Sequence, residues 1–303
     1  MKQFLTHSLA LVLVLALAAS EASAQQFSKR KQYNSVGLTL NGMAYFGDIT
    51  PKPSIPSFRA GATRPNIGLY AMRRFAPRIS GRLSLSYGRI TGDDAKAADQ
   101  NDPDAKFRYN RNMNFRNDIL ELAVTGVFDL IENRNNYIKR PDFVPYLFGG
   151  VGVIHHNPKG LVGENSNNLS AGSYINLQPL RTEGQSSGYS LTQFVIPFGA
   201  GARYKLNKAF DVGIELGFRK TFTDYLDDVS GNYVAQKSNL QGDAAQYFGW
   251  DITKGTAQVP NTYDKFNQGG QMRGKSNEKD WYTTLGLSVN YILAPRVRNP
   301  KFR

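Results

Sequence analysis

Apolar and polar residues alternate one for one along much of this chain. Between Ala209 and Phe222, Val212, Ile214, Leu216 and Phe218 take turns with Gly213, Glu215, Gly217 and Arg219. That period of two predicts a β-strand with one apolar face and one face carrying opposite charges. Seven other segments show strand patterning. They are about 34–47; 66–75, ambiguous in phase; Leu83, Leu85 and Tyr87 opposite Arg82, Ser84 and Ser86; and Leu120, Leu122, Val124 and Phe128 opposite Glu121, Ala123 and Thr125. Then come 145–154, apolar and glycine-rich on both faces; Phe194, Ile196, Phe198 and Tyr204 opposite Gln193, Gly199, Gly201 and Arg203; and Leu285, Leu287, Val289 and Tyr291 opposite Thr284, Gly286, Ser288 and Asn290. No helical periodicity of comparable strength follows residue 24.

The connections decide which face is inside. Those after the second, fourth and sixth strands are short, and those after the first, third, fifth and seventh are long. Strict alternation, with all long connections at one end, is the signature of an up-and-down transmembrane barrel, whose turns are short on the periplasmic side. A compact soluble domain carries few long connections without structure of their own. The expected fold is therefore all-β: an eight-stranded antiparallel up-and-down transmembrane β-barrel with short periplasmic turns and long extracellular loops. Its apolar faces meet outer-membrane lipid. Glu215 and Arg219 point inward, with Glu121 and Arg203 as companions, and interior glycines leave room for the arginines. Eight strands enclose just enough space for side chains to fill, so these lumen charges form a plug of ion pairs. Two irregularities are expected. Phe107, Tyr109, Met113 and Phe115 fall on odd positions while the lipid-facing residues of the fourth strand are even, which predicts a β-bulge near 116–118. Pro145 and Pro197 each remove a ladder hydrogen bond and predict a bulge or a rim position.

The ends and the composition refine this picture. Leu9 to Ala19 is an apolar run too short to span a membrane, followed by Ala22-Ser23-Ala24, the layout of a cleaved secretory signal peptide. The expected organisation is a signal peptide over 1–24, a barrel over 25–293 and a basic periplasmic tail over 294–303. The 303 residues include no cysteine, so an exported chain of this kind depends on burial and on the membrane for stability. A mean hydropathy of −0.42 does not argue against a barrel, because half of each strand and the long loops are polar.

Several pieces carry a family resemblance: YNSVGLTLNGMAYFGDITP from Tyr33, YGRITGDD from Tyr87, FRYNRNMNFRNDILELAV from Phe107 and RPDFVPYLFGGVGVIHHNPKG from Arg140, with the strand closing at Tyr291. Together they resemble the PorG-like outer-membrane barrels of the type IX secretion system of Bacteroidota. The resemblance covers most of the chain after the signal peptide and is strongest between about 33 and 160. It implies a barrel tied to the periplasmic ring of a secretion and gliding machinery, a ring that includes a lipoprotein. The matching motifs belong to strands and loops and supply no active site. The 223–279 connection has no counterpart in the resemblance.

Motifs that suggest chemistry are weak in context. GGQMRGKS over 269–276 matches the phosphate-binding pattern GxxxxGK[ST], but no buried strand leads into it and no helix leaves it, so nucleotide binding is not expected. His155 and His156 end the fifth strand. Adjacent strand residues point to opposite faces, which argues against a metal pair, and no nucleophile or orienting carboxylate accompanies them in the sequence. In GDDAKAADQNDPD, Asp93, Asp94, Asp99, Asp102 and Asp104 lack calcium-loop spacing, and Lys96, Lys106, Arg108 and Arg111 neutralise them. No catalytic, cofactor or metal residues are assigned.

The net charge of +13 has an address. The long loops are close to neutral, and nearly all the excess falls on the periplasmic side: Lys29, Arg30 and Lys31; Arg73, Arg74, Arg78 and Arg82; Lys205 and Lys208; and Arg296, Arg298, Lys301 and Arg303. For an exported barrel, nucleic acid is not the expected partner. Anionic phospholipid of the inner leaflet and an acidic periplasmic partner both fit such a rim. The resemblance favours docking through Arg73, Arg74, Arg78, Lys208, Arg296, Arg298, Lys301 and Arg303. The leading expectation is thus a non-enzymatic barrel that anchors a secretion assembly. A narrow channel or solute-binding barrel is the alternative, and a surface hydrolase using His155 or His156 a third.

Overall fold

The computed structural model describes residues 31–49, 61–97, 111–164, 166, 168–250, 270 and 272–294. The strands in chain order are β1 (Asn34–Phe46), β2 (Arg64–Arg74), β3 (Ile79–Asp93), β4 (Asn114–Asp129), β5 (Phe143–Leu161), β6 (Tyr174–Asn176), β7 (Thr192–Lys205), β8 (Phe210–Thr221) and β9 (Trp281–Leu293). Eight of them close into one antiparallel barrel, with β1 against β9 as the seam from Asn34 opposite Leu293 to Phe46 opposite Trp281. The three-residue β6 adds to the far end of β5. Closure leaves the barrel without a sheet edge, so its ladder is satisfied internally, as a lipid environment demands.

The alternation settles which face is which. Leu40, Val151, Phe194 and Leu287 are 63, 64, 72 and 65 % exposed and stand on the outer face with Leu69, Leu85, Leu122 and Ile214. Glu121, Arg74, Asp129 and Tyr146 on the inner face are buried. A continuous apolar exterior around a polar, ion-paired interior is the inverse of a soluble sandwich and is the organisation of a membrane barrel. In β2, whose phase the sequence leaves open, Ile67 and Leu69 face out, while Asn66, Tyr70, Met72 and Arg74 face in.

The short connections 75–78, 130–142 and 206–209 share one rim with both strand ends of the seam. The first and third are tight hairpins, closed by Phe75 N–H to the Ile79 carbonyl and Leu206 N–H to the Phe210 carbonyl, 3.0 Å each. The long connections lie at the opposite rim.

Three expectations are corrected here. β3 and β4 pair in one unbroken register from Asp93 opposite Asn114 to Ile79 opposite Phe128, so there is no bulge at 116–118. Met113 and Phe115 are odd because they face inward, beyond the lipid belt, where they join the core beneath the long loops; Phe107 and Tyr109 lie outside the described residues. Pro145 sits near the rim, as expected, but Pro197 is in the middle of β7. It is accommodated without a bulge: the β5–β7 ladder lapses between Gly149 opposite Phe198 and Gly152 opposite Val195, and the register is kept. Finally, the described parts of the long connections are folded. A helix over Asp243–Gly249 and a shared core of Tyr45, Ile49, Met113, Phe115, Val162, Leu177, Leu226, Tyr247 and Phe248 form a cap over the barrel mouth.

Candidate functional site

The lumen is filled by stacked polar layers. Nearest the cap, Arg219 Nε lies 3.4 Å from Glu121, whose carboxylate also accepts the Tyr282 hydroxyl at 2.6 Å. In the middle, Arg82 pairs with Glu215 at 2.6 Å, the Tyr146 hydroxyl donates to the same carboxylate at 3.0 Å, and the Arg82 guanidinium lies over the Phe148 ring at 4.8 Å. Nearest the short turns, Asp129 is shared by Arg74, at 3.0 Å, and Arg203. All four sequence-predicted lumen residues are thus inside, but only Glu121 and Arg219 pair with each other. Arg82 and Asp129 complete the other pairs. The interior glycines make room mainly for rings: a Cβ on Gly37 would strike the Tyr70 ring, and one on Gly201 the Tyr146 ring, while Gly217 clears Arg219.

The short-turn mouth is closed as well. Arg140 of the middle turn pairs with Asp211 at 2.6 Å and donates to the carbonyls of Asn207 and Lys208 at 2.8 and 3.0 Å, stapling one turn to the next. The cavity left between Tyr33, Arg74, Asp129, Arg140, Arg203 and Asp211 has a volume of about 20 Å³, room for about one water.

This arrangement changes the basic rim. Arg74 and Arg82 are not on its surface; Arg74 is buried and Arg82 nearly so in the lumen, because even-numbered residues of β2 and β3 face inward and meet Asp129 and Glu215 there. Arg73 and Lys208 are exposed, with the Arg73 guanidinium 5.7 Å from the Phe75 ring centre, and Arg78 is half-buried and donates to the Leu130 carbonyl at 2.6 Å. Arg296, Arg298, Lys301 and Arg303 lie outside the described residues, as do residues 1–24, where the sequence predicts a signal peptide.

At the other end, two buried arginines tie all four long connections together. Arg111 pairs with Asp94 at 2.7 Å and donates to the carbonyls of Arg273 and Asp48 at 2.7 and 2.8 Å. Arg273 pairs with Glu183 at 2.8 Å and reaches Asp228, which also accepts the Tyr189 hydroxyl at 2.8 Å. Neighbouring Asp94 holds the Arg111 guanidinium above its ordinary value against the cost of burial. The described carboxylates of the acidic loop are consumed in this way: Asp94 by Arg111, and Asp93 by Lys96 at 3.0 Å. Sequence reasoning missed Arg111 and Arg273 as cap residues. An arginine in a polar loop looks solvated until its partners are known, and here they lie 17 to 162 residues away in sequence, mostly on other connections.

The structure also places the histidine pair and the described part of the glycine-rich stretch. His156 is buried inside, with Nδ1 3.2 Å from the Asn117 amide, and His155 faces out beside Thr192 at 3.2 Å. In the GGQMRGKS stretch, Arg273 is spent on the cap, the segment leads into strand β9, and Lys275 is within 3.6 Å of Glu278. No group of His, Asp and Glu suited to a metal ion occurs among the described residues.

A family model described as "Domain of unknown function (DUF6089)" matches residues 9–257. The chain belongs to the DUF6089 family. No curated protein matches it. Solved structures similar to this DUF6089 protein include the attachment invasion locus protein Ail of Yersinia pestis, 10 % identical over 87 % of this chain and 99 % of that one, TM-score 0.37. The outer membrane protein OprG of Pseudomonas aeruginosa is 11 % identical over 89 and 99 %, TM-score 0.37. A major outer membrane protein of Thermus thermophilus is 12 % identical over 86 and 99 %, TM-score 0.40. Likenesses this distant say nothing of what the DUF6089 chain binds.

Proposed function

We propose that this protein is a non-enzymatic outer-membrane anchor that docks an acidic periplasmic partner through its short-turn rim. The observation that carries the reading is a filled lumen beside a basic rim. The charge inside is spent on ion pairs, whereas Arg73, Arg78 and Lys208 are on or near the rim surface. The tail over 294–303 adds four more cations to the same side in sequence. A rim of one sign steers encounter with a partner of the other and fixes its orientation. The resemblance to PorG-like barrels supports a periplasmic lipoprotein ring of a type IX secretion and gliding machinery as that partner. In this reading residues 1–24 are removed on export and 25–293 form the membrane body.

The test is a mild-detergent pull-down of the tagged protein from native membranes, eluted in salt steps, beside an Arg73→Glu/Arg78→Glu/Lys208→Glu variant. Co-elution of a periplasmic lipoprotein that leaves as salt rises, and is absent with the variant, is the expected result. A barrel recovered alone at low salt would sink the docking role and leave the rim to anionic lipid.

A further inference from the structure

On the outer face of the barrel, just beyond the apolar belt on the long-loop side, two cations stand directly opposite each other. Arg116 on β4 pairs in register with Lys159 on β5, and Lys159 in turn with Asn176 on β6. Like charges opposite one another across an antiparallel pair repel. Among the described residues, the neighbouring carboxylate does not relieve them: Asp118, one step toward the belt, is held by Arg89 at 2.5 Å. The Arg116 guanidinium instead lies over the Tyr174 ring, its Cζ 3.5 Å from the ring centre, and its Nε is buried without a hydrogen-bond partner. The Asn157 side-chain oxygen beside them is also unsatisfied.

Position identifies the chemistry that meets these two cations. On β4 the outward residues run Phe128, Val124, Leu122, Leu120, then Asp118 and Arg116; on β5 they run Leu147, Val151, Val153, then His155, Asn157 and Lys159. At about 3.3 Å per residue on strands tilted by about 40°, Arg116 and Lys159 stand roughly 10 Å above the last apolar row. That is the depth of lipid head groups. Tyr87, in register with Leu120 and level with His155, marks the interface itself, where tyrosine is favoured.

We propose that Arg116 and Lys159 form a binding site for the phosphate of a phosphorylated lipid head group in the outer leaflet, with Tyr174 holding the guanidinium edge toward it. Arginine offers a fork of donors that fits a phosphate, and a lysine beside it completes the charge match. The site rests on the barrel orientation adopted above and not on the docking rim at the other end.

Native mass spectrometry of the detergent-solubilised full chain tests it, using a phosphorylated glycolipid and the same lipid with its phosphate removed. The expected result is selective binding of the phosphorylated form, weakened at least tenfold in Arg116→Gln/Lys159→Gln and unchanged in Arg134→Gln, an exposed arginine of the 130–142 turn already paired with Glu132. Retained heat-modifiable migration shows that each variant is a closed barrel, and Arg116→Lys serves where the double variant fails to fold, with a smaller loss expected. Equal binding of both lipids, or undiminished binding by the variants, would overturn the proposal. So would displacement of the lipid by inorganic phosphate at equal concentration, which would make the ligand the free anion.

Discussion

Asp227 and Asp280 meet on one hydroxyl: Tyr45 Oη lies 2.7 Å from Asp227 Oδ2 and 2.7 Å from Asp280 Oδ1. A phenol donates one proton, so the second contact needs a proton on a carboxyl group. Asp227 already accepts the amides of Ile49 and Val229, at 3.1 and 2.9 Å, which favours its anion; Asp280 accepts Leu226 N–H on its other oxygen, at 2.8 Å. The two amide bonds to Asp227 favour the proton on Asp280. Burial pushes both carboxyls well above the ordinary range, Asp48 adds to the effect on Asp227, and Asp227 adds to it on Asp280. Arg111 opposes it at Asp227, and nearby Asp224, itself pushed up to about 6 by burial, strengthens it at Asp280.

The cap should accordingly loosen as the pH rises. A carboxyl whose folded value is raised contributes its full stability below the unfolded value, near 4, and loses it as pH climbs through the folded one. Hydrogen exchange of the 224–230 segment, corrected for intrinsic chemistry, is expected to be slower at pH 5 than at pH 8. Asp280→Asn keeps a donor toward Tyr45 and should flatten the dependence. Equal protection of the wild-type segment at both pH values would show that no shared proton holds it.

Arg82 and Glu215 offer a test of the lumen plug. Their side chains are 10 and 15 % exposed and satisfy each other. Removing one partner of such a pair strands the other, at a cost of about 3–5 kcal/mol. Arg82→Met should lower the unfolding midpoint in detergent markedly, and Arg82→Met/Glu215→Leu should recover most of the loss. A double variant no better than the single one would mean that the network with Tyr146, not the pair, sets the stability.

The barrel is legible in the sequence because strand period, lipid-facing phase and loop-length alternation are local properties. Val212, Ile214 and Leu216 disclose their face without reference to any other strand. Partners are not local. Whether Glu215 meets Arg219 on its own strand or Arg82 from β3 depends on barrel curvature and register, which residue spacing does not encode. The same limit hid the cap. Met113 and Phe115 looked like lipid-facing residues in the wrong phase, and the implied bulge was the cheapest local repair. The alternative, that the interior becomes apolar where the loops fold over it, requires knowing that residues 44–49, 162–177 and 226–248 converge there.

The outer face gives a further prediction. Val151 is 64 % exposed near the middle of the apolar belt on β5. A lysine there has to leave water for hydrocarbon, costing about 2–4 kcal/mol at the bilayer midplane. Reversible unfolding from lipid vesicles should register that loss for Val151→Lys and almost none for Val151→Leu. A lysine variant as stable as wild type would place this residue away from lipid.

Conduction is the property on which the filled lumen speaks most directly. Three layers cross the interior in series: Arg219–Glu121–Tyr282, Arg82–Glu215–Tyr146, and Arg74 with Arg203 on Asp129. Below them the mouth is stapled by Arg140 on Asp211, and above them the cap is locked by Arg111 and Arg273. An ion has to pass every layer, so blocks in series do not fail one at a time. Purified protein in planar bilayers is expected to show no resolvable single-channel steps. Arg82→Ser/Glu215→Ser, which empties only the middle layer, should remain silent for the same reason. Discrete openings of the wild-type protein would require the three layers to part together, and would move the barrel from anchor to channel.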